Sequence, residues 1–198
     1  MTDSAAEARI DQSLVARALL GDDRRAFEQL VRRHQGMVRA QLCRLLHGDQ
    51  AAADDLAQET FLLAWRKLDQ FRSEARFSTW LHHIAYSCFL QACRKKSWAQ
   101  QAQDDGMEVL PAPECAIDLQ LDLTRAMQRL SSAEQIVLLH CTQLGLSHEE
   151  AAYVLAMPLG TVKTHATRGK SKLKVWLSAW QAAAGKEIRE AMRQRMRG

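Results

Sequence analysis

The stretch EEAAYVLAMPLGTVKTHATRGKSKLK, from Glu149 to Lys174, contains the pattern that decides the fold. Ser147 lies just before it, and Glu150 three positions later completes a capping box, which predicts the start of a short helix. Pro158 breaks that helix, and a second one is expected to begin near Thr161. Two short helices joined by a tight turn predict a helix-turn-helix.

The second of these helices has one packing face and one free face. At about 100° per residue, four small or apolar residues share a narrow stripe. Its members are Val162, Ala166, Gly169 and Leu173, whereas Lys163, Thr164, Thr167, Arg168 and Ser171 lie opposite. A glycine inside a helix costs about 1 kcal/mol relative to alanine. Gly169 is therefore tolerable if a second helix packs closely against it.

The free face has the chemistry that recognition of a DNA major groove requires. Arginine and lysine donate to guanine O6 and N7, and threonine offers a hydroxyl to a base or phosphate and a methyl to thymine. Lys170, Lys172 and Lys174 flank this face and suit phosphate contacts. An ordinary solvated basic helix would show the same pattern, so both interpretations stay open on this stretch alone.

Helical periodicity extends along nearly the whole chain, without a strand-like alternation, which predicts an all-α fold. Three further helices are expected, from about Asp22 to Gly48, from Ala51 to Leu68 and from Ser78 to Lys96. The segment SWAQQAQDDGMEVLPAPE has no period and contains two of the three prolines, so it is interpreted as a flexible linker. A second capping box at Ser131 and Glu134 then opens a helix that Gly145 closes. The predicted division is a domain over 10–97, a linker over 98–115, a second domain over 116–178 and a basic C-terminal extension over 179–198.

Composition limits the class of protein. The 198 residues are 47% hydrophobic and 25% charged, which is typical of one or two globular domains. The polar start of the chain, and the absence of any run of about 18 apolar residues, predict a cytoplasmic protein. Five cysteines without a CxxC pair are interpreted as reduced thiols. The spacing of His82, His83 and Cys88 fits no common zinc pattern, and no phosphate loop or nucleophile motif is present, so neither cofactor nor enzymatic activity is expected.

Charge is distributed unevenly along the sequence. Residues 1–103 carry 15 Lys/Arg and 12 Asp/Glu, residues 104–150 carry 2 and 9, and residues 151–198 carry 10 and 2. The net charges are therefore +3, −7 and +8. A basic end of this kind favours binding to a polyanion.

The helix expected over Ala51–Leu68 carries an unusual leucine. Its apolar face is broad, and the opposite face consists of Asp55, Gln58, Glu59, Leu62 and Arg66. An apolar side chain in a polar, partly acidic row is what a protein-docking surface provides, because charged flanks surround a hydrophobic anchor. A single exposed leucine is also common on soluble proteins.

Four segments together resemble the bacterial extracytoplasmic-function (ECF) sigma factors of the sigma-70 family. They are DDLAQETFLLAWRKLDQF, FSTWLHHIA, the basic end CRKKS and GLSHEEAAYVLAMPLGTVKTHATRGKSKLK. The resemblance covers about residues 10–178, in the family's order and spacing. It implies a sigma-2-like helical bundle followed by a sigma-4-like helix-turn-helix domain.

The resemblance also implies roles for individual residues. The row Asp55, Gln58, Glu59 and Leu62 matches the surface that docks on the β′ clamp helices of core RNA polymerase, and the second domain is expected at the β flap. The loop DQFRSEAR, residues 69–76, matches the segment that captures a flipped base of the −10 element. The residues implied in −10 recognition and melting are Phe71, Arg72, Ser73, Arg76, Phe77, Thr79, Trp80, His83, Arg94, Lys95 and Lys96. Those implied in reading the −35 element are Thr161, Lys163, Thr164, Thr167, Arg168, Lys170 and Lys172.

The implied partners are core RNA polymerase, promoter DNA and an anti-sigma protein, which in this group is often membrane-bound; no small-molecule substrate is implied. Two alternatives remain at this point. An autonomous regulator would bind DNA as a dimer at half-sites about 10 bp apart, without polymerase. A sigma-like decoy would act by protein contact only. The basic recognition helix argues against the decoy, and the docking row and melting loop argue against the autonomous regulator.

Overall fold

The protein is described by a computed structural model that covers residues 3–21, 23–101, 127 and 129–195. Side chains are described for the same residues except 3–5, 21, 96–101 and 179–195. Within this part of the chain there are helices, turns and loops but no strand, which confirms the predicted all-α fold. The helices form two compact units.

The first unit is built mainly from four N-terminal helices. They are α1 (Asp3–Gly21), α2 (Arg24–Leu45), α3 (Gln50–Arg66) and α4 (Phe77–Gln101), with a 3₁₀ turn at Leu68–Gln70. The expected helices correspond to α2, α3 and α4, whereas α1 was not predicted. Helix α4 continues to Gln101, past residue 98, where the linker is predicted to begin; the rest of the predicted linker, residues 102–115, lies outside the described part.

Side-chain caps determine where α2 and α3 begin. The carboxylate of Asp23 accepts hydrogen bonds from the backbone N–H groups of Arg25 and Ala26, at 3.1 and 3.2 Å. Asp49 accepts from Ala52 N–H at 3.0 Å. Such caps satisfy N–H groups that have no partner within the helix. Gly48 between the helices has φ +94°, a conformation that favours glycine, and it separates α2 from α3.

The core of the first unit lies where α1, α2, α3 and α4 meet. Its buried residues include Leu30, Val38, Leu42, Leu56, Ala64, Leu81, Ile84 and Cys88. Polar groups in this interior are hydrogen-bonded: Gln41 Nε2 donates to the carbonyl of His82 at 3.2 Å, and Gln41 Oε1 lies 2.7 Å from His82 Nδ1. These pairs avoid the cost of an unsatisfied buried amide.

A fifth helix packs into this first unit although it comes later in the sequence. Residues 146–157 belong to the unit, and this stretch contains the short helix His148–Leu155. The predicted capping box is confirmed, with Glu150 N–H donating to Ser147 Oγ at 3.1 Å and Ser147 N–H to Glu150 Oε2 at 2.9 Å. The sequence had assigned this helix to the domain over 116–178.

The second unit contains a short helix, α5 (Ser132–Leu138), and a long one, α7 (Leu159–Arg195). The helix His148–Leu155 of the first unit lies between them in the sequence and is therefore called α6. The capping box of Ser131 and Glu134 is confirmed, and a π-helical turn follows α5 at Leu139–Gln143. The predicted interruption at Pro158 is also confirmed, since α6 ends at Leu155 and α7 begins at Leu159.

Candidate nucleic-acid interface

The exposed side of α3 carries the predicted docking row. Leu56, Thr60 and Ala64 are buried on the inner side of the helix. On the outer side Asp55, Gln58 and Glu59 are exposed, and 60% of Leu62 is accessible to solvent. The hydroxyl of Thr60 is satisfied within the helix, because it donates to the Leu56 carbonyl at 2.7 Å. The structure therefore brings the four predicted docking residues together on one accessible face.

An apolar groove of about 1030 Å³ adjoins this row between α2 and α3. Gln58 and Leu62 belong to both the row and the groove. The aromatic rings of Phe27 and Trp65, with centroids 4.8 Å apart, form part of its wall. Arg39 and Asp54 line it as an ion pair that includes a hydrogen bond of 3.2 Å. The pairing of Phe27 with Trp65 joins two helices, so the sequence of neither helix alone predicts it.

The predicted base-capturing loop precedes α4. Arg72, Ser73 and Arg76 are exposed, and Ser73 adopts a left-handed backbone with φ +56°. This conformation is uncommon outside glycine and is typical of tight turns. Phe71 at the start of the loop and Phe77 at its end meet edge to face, with centroids 5.4 Å apart. The exposed polar residues thus lie on a loop whose two ends are held together by the contact between Phe71 and Phe77.

Several other residues predicted for −10 recognition are in contact with protein. Phe77, Thr79 and Trp80 are buried, at 3%, 1% and 8% exposure. The Thr79 hydroxyl donates to Glu150 Oε1 at 3.0 Å. His83 Nδ1 lies 3.1 Å from the Val154 carbonyl, and its ring packs against Tyr153 at 5.3 Å. In this arrangement Thr79 and His83 bind α6 within the first unit, and Phe77 and Trp80 support the loop from below.

The basic end of α4 consists of Arg94, Lys95 and Lys96. Arg94 and Lys95 are exposed, as phosphate contacts require, and the side chain of Lys96 lies outside the described residues.

Cys43, Cys88, Cys93 and Cys141 are free thiols, in agreement with the sequence interpretation; Cys115 falls outside the described part.

Helix α7 presents the predicted recognition face. Lys163, Thr164, Thr167, Arg168 and Lys170 are exposed and Thr161 is half-buried. Val162 and Ala166 are buried, at 0% and 2% exposure, so the predicted separation of faces is confirmed. The hydroxyls of Thr164 and Thr167 donate to the carbonyls of Gly160 and Lys163 at 2.8 and 2.9 Å. Their oxygens can still accept hydrogen bonds, and both residues are exposed.

Lys172, predicted as a phosphate contact, has a protein partner. Its Nζ donates to both carboxylate oxygens of Glu134 at 2.8 Å, which ties α7 to the start of α5. The hydrogen bonds from Lys172, together with the one that Glu134 accepts from the backbone N–H of Ser131, lower the pKa of the Glu134 carboxyl below its ordinary value of 4.5. The lysine thus holds α7 in place, and 45% of its side chain still faces solvent.

Close packing of α5 on α7 depends on Gly169. A Cβ atom at this position would lie 2.8 Å from Leu138 Cδ1 and 3.2 Å from Leu138 Cγ. Real Cβ atoms do not approach that closely without displacing a neighbour. A second helix therefore does pack closely against Gly169, which is the condition under which the sequence analysis found a glycine tolerable inside this helix.

We expect acid to weaken the second unit through His140. This residue is fully buried, and burial lowers its pKa below the ordinary value of 6.5, although a hydrogen bond to the Ile136 carbonyl opposes the shift. As pH falls through 6.5, the His140 imidazole therefore becomes protonated in the unfolded chain before it does so in the folded chain. The free energy of unfolding should decrease below that pH by at most about 1.4 kcal/mol per pH unit.

Urea unfolding at pH 7.5, 6.5 and 5.5 measures this effect. His140→Asn retains a donor for the Ile136 carbonyl without a titrating group, and its unfolding free energy should change less over the same interval. An equal pH slope in both proteins would contradict the assignment to His140.

No helix in the described part of the chain is long and apolar enough to cross a membrane. No group of three or more His, Cys, Asp or Glu side chains among the described residues is arranged to hold a metal ion.

Comparison with known proteins identifies relatives along most of the chain. The model of Sigma-70 region 2 matches residues 30–99, and that of Sigma-70, region 4, matches residues 120–173. RNA polymerase sigma factor NccH from Alcaligenes xylosoxydans xylosoxydans is 32% identical, over 87% of this chain and 97% of NccH. The ECF RNA polymerase sigma factor SigM from Mycobacterium tuberculosis is 30% identical, over 83% of each chain.

Two solved structures are similar in fold. CnrH, in complex with the cytosolic domain of CnrY, has a TM-score of 0.61 and 29% identity over 86% of this chain and 98% of its own. The sigma factor RpoE from Bartonella quintana, in complex with the anti-sigma factor NepR, has a TM-score of 0.61 and 28% identity over 77% and 96%.

Proposed function

The chain belongs to the ECF group of the sigma-70 family of RNA polymerase sigma factors, and we propose that three of its surfaces carry out promoter-specific initiation. They are the docking row on α3, the loop Phe71–Arg76, and the exposed face of α7. The observation that carries the proposal is Leu62, an exposed leucine centred in a polar row beside an apolar groove. The bond-making chemistry of transcription then belongs to the polymerase.

The docking row is suited to a helical partner with a basic and apolar surface. Leu62 offers an anchor whose full burial is worth about 1.5–3 kcal/mol. Asp55 and Glu59 flank it with negative charge, which favours approach of a basic partner and fixes its register. We assign this surface to the β′ clamp helices of core RNA polymerase, and residues of the second unit to the β flap.

The loop Phe71–Arg76 is proposed to receive a base flipped from the −10 element. Extracting a base from the stack costs a few kcal/mol, which contacts to the freed base must offset. Arg72, Ser73 and Arg76 are exposed on the loop and supply hydrogen-bond donors. Phe77, Thr79 and Trp80 act from the buried side by supporting the loop, and Arg94, Lys95 and Lys96 bind phosphates further along α4.

The exposed face of α7 is proposed to read the −35 element in the major groove. Lys163, Thr164, Thr167 and Arg168 are the candidates for base edges, with Thr161 and Lys170 beside them at the backbone. Lys172 contributes through its pairing with Glu134, which holds the helix against α5. The matches at residues 30–99 and 120–173 support two functional parts, one for each promoter element.

The proposed test is Arg168→Ala, assayed in the holoenzyme on promoters with single substitutions in the −35 element. If Arg168 makes a bidentate contact to a guanine, the substitution should cost about 1–3 kcal/mol on the native promoter. The loss should vanish on the promoter that already lacks that guanine. Filter binding or run-off transcription measures the difference.

Lys170→Ala is the matched control, since it also removes a charged side chain from the exposed surface of α7. A phosphate contact carries no sequence information, so this variant should weaken binding by a similar factor on every promoter. A uniform loss for Arg168→Ala as well would reassign that residue to the phosphate backbone.

We further propose that an anti-sigma protein regulates this factor by covering the α3 row and the adjoining groove. Support comes from RpoE, whose solved structure is a complex with the anti-sigma factor NepR. The same apolar anchor that docks on polymerase would serve such an inhibitor, which makes the two partners mutually exclusive. We also propose that the factor acts in the cytoplasm, where polymerase and chromosome are found in bacteria.

A further inference from the structure

The loop Phe71–Arg76 is closed by an aromatic cluster at its base. Phe71 and Phe77 approach edge to face at 5.4 Å, and Trp80 lies 5.4 Å from the first and 5.6 Å from the second. These geometries are favourable for aromatic pairs. Phe77 follows Arg76 directly in the chain and contacts Phe71, so it joins the two ends of the loop that carries Arg72, Ser73 and Arg76.

A buried histidine supports Phe77 from α2. The ring of His34 lies 5.4 Å from the ring of Phe77, centroid to centroid, and only 9% of the residue is exposed. On its other side, His34 Nε2 is 3.0 Å from Asp11 Oδ2 on α1. An ionised carboxylate can only accept hydrogen bonds, so Nε2 is the donor in this pair.

Asp11 is itself fixed by two partners. It is 5% exposed, and Arg33 Nε donates to its second oxygen at 3.0 Å. Burial alone would raise the pKa of Asp11, but the hydrogen bonds and charges of His34 and Arg33 outweigh burial and lower it. The carboxylate therefore remains ionised at neutral pH, and removing one of its partners would leave a buried charge incompletely paired.

This pair forms part of the wall of a polar cavity next to the loop. The cavity has a volume of about 460 Å³, and Asp11, Arg33, His34, Arg76 and Ser78 are among its lining residues. Arg76 is the last residue of the loop, and Ser78 follows Phe77 at the start of α4. The Asp11–His34 pair thus shares this cavity with the last residue of the loop and the start of α4.

We propose that Asp11 and His34 are positioning residues for promoter opening. They hold Phe77, and through it the loop Phe71–Arg76, in the geometry that receives the flipped base. They need no contact with DNA for this role, and the inference rests on the proposed function of the loop. Its physical basis is that small displacements of a group which binds a reacting partner reduce rates steeply.

The test measures promoter opening by the holoenzyme at saturating concentration, with permanganate reactivity of thymines in the −10 region of a promoter that this factor transcribes. His34→Ala should slow opening about tenfold or more while the affinity for core polymerase remains unchanged. His34→Gln keeps an N–H donor for Asp11 near the position of Nε2 but loses the ring that meets Phe77, so it should restore the rate only in part. Asp11→Asn, which retains shape but loses charge, should fall between them.

Arg72→Ala in the loop separates this inference from the proposed function beneath it. If Arg72→Ala slows opening but His34→Ala and Asp11→Asn open at the wild-type rate, the positioning role is overturned and the loop's function stands. If Arg72→Ala has no effect, the loop's function fails and the inference with it.

Core affinity provides the remaining control. Equal losses of core affinity and opening rate in the His34 and Asp11 variants would reduce the pair to a structural role and overturn the inference. Should His34→Ala fail to fold, Asp11→Asn and His34→Gln decide the question by the same two measurements.

Discussion

Replacing Leu62 with aspartate is expected to abolish binding to core RNA polymerase and leave the fold unchanged. The side chain is 60% exposed, so the free protein loses little packing. In the complex, the substitution removes a central apolar anchor and adds a third carboxylate beside Asp55 and Glu59. A hot-spot residue at the centre of an interface costs about 2 kcal/mol or more when it is lost, and a buried unpaired charge adds to this, so affinity should fall by at least about 30-fold if Leu62 is such an anchor.

Co-purification with tagged core polymerase, followed by fluorescence anisotropy, measures this loss. Leu20→Asp is a matched control, because Leu20 is 90% exposed on α1 and lies outside both the docking row and the groove. It should bind core as the wild type does. Equal affinity of Leu62→Asp and wild type would show that the docking surface has been assigned to the wrong face.

Replacing Gly169 with leucine is expected to destabilise the second unit by about 1–2 kcal/mol. Even a Cβ atom at this position would come within 2.8 Å of Leu138, whose side chain is itself buried. Overpacking of this kind costs about 1–3 kcal/mol, and the better helix propensity of leucine offsets up to about 1 kcal/mol of it. Recognition of the −35 element should weaken with it, because α7 would no longer lie correctly on α5.

Hydrogen exchange of amides in α5 and α7 measures the local stability. Gly160→Leu is the control, since Gly160 lies in the same helix and a Cβ atom added there would meet no atom within 4 Å, so stability should be nearly unchanged. Gly169→Ala combined with Leu138→Ala should be less unstable than the two single substitutions predict by addition. Strict additivity would mean that the two residues do not compete for space.

The starts of the helices in the recognition region could be predicted because their signals are local, whereas α7, which was expected to be short, runs for 37 residues. Ser147 with Glu150, and Ser131 with Glu134, start helices through contacts three residues apart, and Pro158 interrupts the chain by its own geometry. The stripe of Val162, Ala166 and Gly169 likewise follows from the helical repeat. The accessible position of Leu62 follows from the same repeat on α3.

Contacts between distant residues could not be predicted in this way. The hydrogen bonds from Thr79 to Glu150 and from His83 to the Val154 carbonyl join residues 71 positions apart. They bring α6 into the first unit, where the sequence had assigned it to the second domain. A histidine or threonine on an amphipathic helix carries no sign of which later segment it will bind.

The resemblance to a family indicated roles but not exposure. Phe77 and Trp80 were named for contact with DNA, and the structure shows both buried beneath the loop that carries the exposed Arg72 and Arg76. Asp11 and His34 carry no joint signal in the sequence, because α1 was not expected and the pair is 23 positions apart. Periodicity within one helix shows which residues share a face, but it does not show which other helix or loop covers that face.

The central claim is most directly tested by run-off transcription from a genomic fragment library, using purified core polymerase with this protein added. Discrete start sites that require the protein, share two upstream elements and disappear with Leu62→Asp are the expected result. If the protein leaves core polymerase unaffected but shifts DNA alone at paired half-sites, it is an autonomous DNA-binding regulator, and the account of α3 and the loop as initiation surfaces is contradicted.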